Sequence, residues 1–155
     1  MAVSLDDVDL QLLVELQADA DRTNVELARL VGLSPAATLN RIRRLKTTGV
    51  IQRVVAQLDA AEAGFPLQAY VSVILARHDQ AVVRGFVREL RSLPQVISAD
   101  WVAGEVDAIA FVVARTVPEL QRVLLRMSAR GAQRMVTYLR LEEIKASAPL
   151  PVAET

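Results

Sequence analysis

The sequence predicts an α+β chain in two parts: an N-terminal helix-turn-helix domain of winged-helix-like type, then a ferredoxin-like βαββαβ domain. Three observations predict it. Helix start and stop signals occur three times before Gly49. From Gln68 onward, apolar runs of strand length alternate with two capped helical stretches. Between the two patterns lies a segment holding Gly64 and Pro66, which suits neither. A chain of 155 residues is long enough to bury a core in each part.

The elements follow in order. Asp6 or Asp7 caps a first helix whose Val8, Leu12, Leu13 and Leu16 recur at helical spacing, ending near Asp19-Ala20-Asp21. Thr23-Asn24-Val25-Glu26 is a capping box, in which Thr and Glu exchange hydrogen bonds with the amides that open a helix. Val25, Leu27, Leu30 and Val31 supply that helix's stripe, and Gly32 terminates it. After the short Gly32-Leu33 turn, Ser34 is an N-cap and Pro35 takes the first helical position, where a missing N–H costs nothing. The third helix runs to Thr47 and closes at Gly49. Its inward stripe is read as Leu39, Ile42 and Leu45. The opposite face carries Ala36, Ala37, Asn40, Arg41, Arg44 and Thr47, with Thr38 and Arg43 at the margins.

Residues 51–58 read as a strand and 59–66 as a hinge. A strand over 68–76 follows, then a helix capped by Asp79 with Val82, Val83, Phe86, Val87 and Leu90 on its stripe. A second strand at 96–103 meets a third at Ala108–Ala114 through the turn Gly104-Glu105-Val106-Asp107. Thr116-Val117-Pro118-Glu119 opens the next helix, Gly131 stops it, and 135–144 is the last strand. Residues 147–155, with Pro149 and Pro151, read as a disordered tail. The divisions are therefore 1–51, 52–66, 67–146 and 147–155. Val71, Val73 and Leu75 alternate with Tyr70 and Ile74, so both sheet faces are apolar. Two helices cover only one of them, and the other calls for a second copy of the chain. A homodimer also presents two reading heads to successive major-groove half-sites.

Composition excludes whole classes of function. The longest apolar run, Ala108–Ala114, is far below the roughly 20 residues of a membrane span, and the acidic start lacks a signal-peptide core. A cytoplasmic protein without membrane attachment is expected. With no Cys and one His, His78, neither thiolate nor His-rich metal sites are available, and no cofactor is expected. Ser and Thr lack a neighbouring His base and no phosphate-binding Gly-rich loop occurs, so no enzyme is expected. The 18 basic and 18 acidic side chains cancel, which excludes a basic nucleic-acid coat. They are segregated, however. Residues 5–27 hold seven acids against Arg22, while 28–58 hold Arg29, Arg41, Arg43, Arg44, Lys46 and Arg53 and no acid. The basic stretch is either a solvated helix face or a face for double-stranded DNA. On the second reading, Ser34, Ala36, Ala37, Thr38, Asn40, Arg41, Arg44 and Lys46 meet the groove: small residues permit close approach, and amide and guanidinium groups reach bases and phosphates. Replacing Arg41 and Arg44 is then expected to abolish binding in a chain that stays folded.

These stretches resemble the Lrp/AsnC (feast/famine) transcriptional regulators. Leu5-Asp6-Asp7-Val8-Asp9 is similar to the family's opening Leu-Asp-x-x-Asp. Asn24-Val25-Glu26-Leu27-Ala28, Val31-Gly32-Leu33-Ser34-Pro35, Arg41-Ile42-Arg43-Arg44-Leu45 and Gly49-Val50-Ile51 follow its further signatures in order. Gly104, Asp107 and Lys145 match the second half. The chain departs from the pattern at Asp21, Ala108 and Met135. The resemblance implies a DNA-binding regulator that responds to a small effector, usually an amino acid, and assembles as a homodimer that can reach an octamer. It places the effector at Gly104, Glu105, Val106, Asp107 and Thr137. Turn amides would hold an α-carboxylate and Asp107 an α-ammonium, or Gly104 and Asp107 simply build the hairpin. Two rivals remain: a related sirohaem decarboxylase, which would need histidines beyond His78, and a non-specific architectural DNA-binding protein.

Overall fold

The computed structural model describes residues 3–152, which form two compact units. One joins the chain up to Ala56 with the segment from Lys145 onward; the other is Gln57–Ile144. The first, here the head, holds α1 (Asp7–Ala18), α2 (Asn24–Leu30) and α3 (Pro35–Thr47). Each starts on a local cap. Asp6 and Asp9 exchange side-chain-to-amide bonds of 2.9 and 3.2 Å, Thr23 and Glu26 do the same for α2, and Ser34 accepts the Ala37 N–H. Gly32 turns the chain between α2 and α3 with φ of +67°, a conformation that suits glycine. Asn24 Nδ2 donates to the Pro35 carbonyl at 2.8 Å and ties the starts of the two helices together. Leu12, Leu27, Val31 and Ile42 form the core.

Four sequence expectations are corrected in the head, the first being the α2 stripe: Val25 and Leu30 are exposed and Ala28 is buried beside Leu27. The buried stripe of α3 is Thr38, Ile42 and Leu45, and Leu39 is 37% exposed. Thr38 tolerates burial because its hydroxyl donates to the Ser34 carbonyl at 3.1 Å. Residues 51–58 form no strand: Ile51 N–H closes on Leu45, and the chain runs on without a ladder partner, leaving Val54, Val55 and Leu58 exposed. The head therefore has no β wing among the described residues. Residues 147–152 form no helix or strand, yet Leu150 is hydrogen-bonded to Gln17; 153–155 lie outside the described residues.

The second unit holds β1 (Leu67–Leu75), α4 (Gln80–Ser92), β2 (Val96–Trp101), β3 (Ala108–Ala114), α5 (Val117–Ser128) and β4 (Ala132–Leu139). The sheet order is β2-β3-β1-β4 and every neighbouring pair is antiparallel. This is the ferredoxin-like arrangement, with Val71, Val73, Leu75, Ala110 and Val112 packed on Phe86, Leu90, Val123 and Met127. β4 starts at Ala132 rather than 135 and stops at Leu139 rather than 144; one further bond, Arg140 N–H to Gln68 O at 2.8 Å, follows, and β1 begins at Leu67, so residues beyond 141 have no strand to pair with. Gly131 sets that start: its φ is +99°, and a Cβ there would stand 2.6 Å from Val82 Cγ1. The uncovered sheet face carries Tyr70, Ile109 and Tyr138, each more than a third exposed, with the Phe111 ring 5.0 Å from that of Tyr70 and tilted 39° to it. No helix among the described residues is long and apolar enough to cross a membrane.

Candidate nucleic-acid interface and effector turn

With Thr38, Ile42 and Leu45 inward, and about 100° between successive residues, the face of α3 opposite the core carries Ala36, Asn40, Arg43 and Thr47. All four are exposed. Ser34 stands exposed at the helix start and Lys46 is exposed near its end. The Arg43 and Lys46 side chains make no hydrogen bond or ion pair among the described residues, so their charges remain available to an anion.

Arg41 and Arg44 behave differently. They sit on the flank of α3 that faces the start of α1. Arg41 Nη1 donates to both Asp6 carboxylate oxygens, at 2.9 and 2.7 Å, and to Asp9 Oδ1 at 2.9 Å. Arg44 Nη2 donates to Asp9 Oδ2. The Asp9 side chain is fully buried. Burial alone would raise its pKa, but hydrogen bonds from Arg44, the Asp6 N–H and Arg41 outweigh that and hold it at about 2. Asp6 is likewise lowered by Arg41, and Arg41 is raised in return.

The expected reading face is thus rotated. Thr38 is buried and cannot reach a groove, Ala37 is half-buried, and Arg41 and Arg44 already serve as partners for α1. Arg43, assigned to the margin from the sequence, is the central cation. The signal for this was present as Asp6 and Asp9, two acids one helical turn apart, but only the packing of α1 on α3 pairs them with particular arginines.

In the second unit, Gly104 and Glu105 are exposed, and Val106 and Asp107 half-buried. The N–H groups of Gly104, Glu105 and Val106 donate to nothing among the described residues. Asp107 does much to hold the turn. Its N–H donates to Val73 O at 2.9 Å, its carbonyl accepts the Val102 N–H at 3.0 Å, and Oδ2 accepts the Leu75 N–H at 2.7 Å. Oδ1 lies 2.8 Å from His78 Nε2, whose ring is 68% exposed. The Leu75 amide first and His78 second hold the Asp107 carboxyl below the usual range. Thr137 pairs with Val71, which pairs with Ala110. It is therefore two strands across and three residues along from Asp107, on the order of 14 Å away by strand spacing and rise. One chain does not bring Thr137 and the turn together.

Residues 5–46 match the AsnC-type helix-turn-helix domain, and residues 68–150 match the Lrp/AsnC ligand binding domain. The HTH-type transcriptional regulator AldR of Mycolicibacterium smegmatis is 34% identical over 154 residues, covering 96% of this chain and 88% of that one. The leucine-responsive regulatory protein of Escherichia coli K12 is 33% identical over 150 residues, covering 92% and 88%. Among solved structures, a transcriptional regulator from Neisseria meningitidis in complex with L-Met superposes with a TM-score of 0.88 at 29% identity, covering 97% and 98%.

Proposed function

The chain belongs to the Lrp/AsnC family of transcriptional regulators, and from that premise we propose that α3 reads specific DNA under the control of a small effector, an amino acid. The observation that carries the DNA reading is the division of the three arginines. Arg41 and Arg44 position α3 against α1, which leaves Arg43 and Asn40 at the centre of the exposed face. A guanidinium there suits the O6 and N7 of guanine, and a carboxamide the N6 and N7 of adenine. Ser34 and Ala36 allow the helix start to approach closely, and Lys46 serves a phosphate. Two heads are supplied by a homodimer formed on the sheet face of Tyr70, Ile109, Phe111 and Tyr138, with assembly to an octamer as the further step.

The free amides of Gly104, Glu105 and Val106 suit an α-carboxylate. Asp107 keeps lone pairs for an α-ammonium once His78 turns aside. Thr137 contributes only if a second chain lies across the turn. The L-Met carried by the Neisseria relative supports an amino acid as the effector. The chain acts as a cytoplasmic regulator and not as an enzyme, with its chemistry confined to binding.

The test starts by selecting duplexes from a random library with the wild-type chain. At fixed salt, Arg43→Ala is expected to lose about 10- to 100-fold in affinity for the selected duplex, the value of one bidentate base contact, with an unchanged melting temperature. Wild-type affinity in that variant would refute the reading, and selection without a consensus would favour the non-specific architectural alternative. A thermal-shift panel of amino acids is expected to contain at least one that raises the melting temperature.

A further inference from the structure

The chain enters the head twice, once from the start to Ala56 and again from Lys145, after the sheet unit is complete. The second entry is a specific contact. Pro149 and Pro151 have no N–H, so Leu150 holds the single amide donor of Pro149-Leu150-Pro151. Gln17, on the last turn of α1, receives it: Gln17 Oε1 accepts the Leu150 N–H at 2.7 Å, and Gln17 Nε2 donates to the Leu150 carbonyl at 3.1 Å. One carboxamide thus meets both polar groups of one residue, as a neighbouring strand would. Leu150 O also accepts the Val152 N–H at 2.8 Å. Leu150 and Val152 line a largely apolar groove of the head together with Leu13, Leu16 and Leu39, and the same groove reaches Lys46 on α3. The prolines on either side restrict the segment before it docks and so reduce the entropy lost on docking.

We propose that Pro149-Leu150-Pro151 is an intramolecular ligand of the head, which makes the effector unit an insertion within the DNA-binding head rather than an appendage behind it. A change in the effector unit then reaches the head by two routes along the chain: the segment after Thr47, and this strap, which is held to α1 by the two hydrogen bonds of Gln17. The contact is made by the Leu150 main chain, since the Leu150 side chain is 72% exposed and Val152 is the half-buried apolar side chain; because the groove they border includes Leu39 and Lys46, the strap lies beside the flank of the reading helix. The docking stands on its own contacts, whereas its consequence for DNA rests on the proposed function above.

Hydrogen exchange on the full chain tests it, comparing wild type, Gln17→Ala and a chain stopped after Ala146. Gln17 is exposed on its helix, so its replacement leaves the fold intact. Gln17→Ala is expected to speed exchange of the Leu150 amide by about fivefold or more, as for loss of one hydrogen bond. Both variants are expected to bind more of the apolar dye ANS and to bind the selected duplex more weakly. A Leu150 amide that exchanges equally fast in wild type and Gln17→Ala would overturn the docking. Docking lost with duplex affinity unchanged would overturn its role in DNA binding. If selection yields no consensus duplex, the proposed function fails while the exchange result still decides the docking.

Discussion

Asp9 in the head and Asp107 in the sheet unit are built alike, and they differ in what their surroundings allow. Each carboxylate accepts a main-chain N–H, from Asp6 and Leu75 respectively, and each has side-chain nitrogen partners. Asp9 is fully buried and bound by two guanidiniums from another helix. The Asp107 side chain is a quarter exposed, and its side-chain partner is one exposed imidazole. Asp9 depends on donors held in place by two helices, whereas Asp107 can exchange His78 for solvent or for a cation. The first arrangement fixes the geometry of two helices; the second suits a site whose occupant changes.

The largest effect is expected from replacing Arg41 and Arg44 together with Ala. Leaving the buried carboxylate without these partly exposed donors is expected to cost about 2–3 kcal/mol, read as a fall in the head's unfolding midpoint in urea. DNA binding would then be lost through the fold, in place of the expectation that the chain stays folded. A double variant with a wild-type transition would show that Asp9 does not depend on its partners.

Acid should separate the two carboxylates next. The folded pKa of Asp9 lies below its unfolded value, so its contribution is present above about pH 4 and is lost as pH falls through about 2. The loss is about 2 kcal/mol from a shift of this size. The head's urea midpoint should fall over that window in wild type and fall less in Asp9→Asn; parallel curves would count against it.

The smallest effects belong to the turn. Asp107→Asn keeps an acceptor for the Leu75 amide but loses the charge, and is expected to lower its unit's urea midpoint only slightly. His78→Ala removes only an exposed pair and should cost a few tenths of a kcal/mol. If Asp107→Asn destabilises its unit as much as the double arginine variant destabilises the head, the contrast between the two sites disappears.

What could be read in the sequence follows from how far apart the interacting residues are. The caps on Thr23, Ser34, Asp79 and Thr116 were legible because each joins groups within a few residues. The helix-turn-helix, the βαββαβ order and the Gly104–Asp107 turn were legible for the same reason. The stretch at 51–58 has strand composition but no partner, and the register of β4 is set by its pairing with β1, so neither could be judged from its own residues. Thr38 and Leu39 illustrate the limit within one helix. Hydropathy favours burying Leu39, but the packing of α3 buries Thr38 and satisfies its hydroxyl locally.

The candidate site divides along the same line. By itself the sequence determined that a basic, acid-free helix opens with small residues and follows an acidic one, since charge, caps and periodicity are properties of short segments. The tertiary structure decided which arginines α1 takes, which one faces outward, and that residues beyond the sheet return to Gln17. Those outcomes depend on pairs 32 to 133 residues apart, such as Asp9 with Arg41, Asp9 with Arg44 and Gln17 with Leu150. No local pattern encodes them, because the energy of each contact exists only once the helices have been brought together.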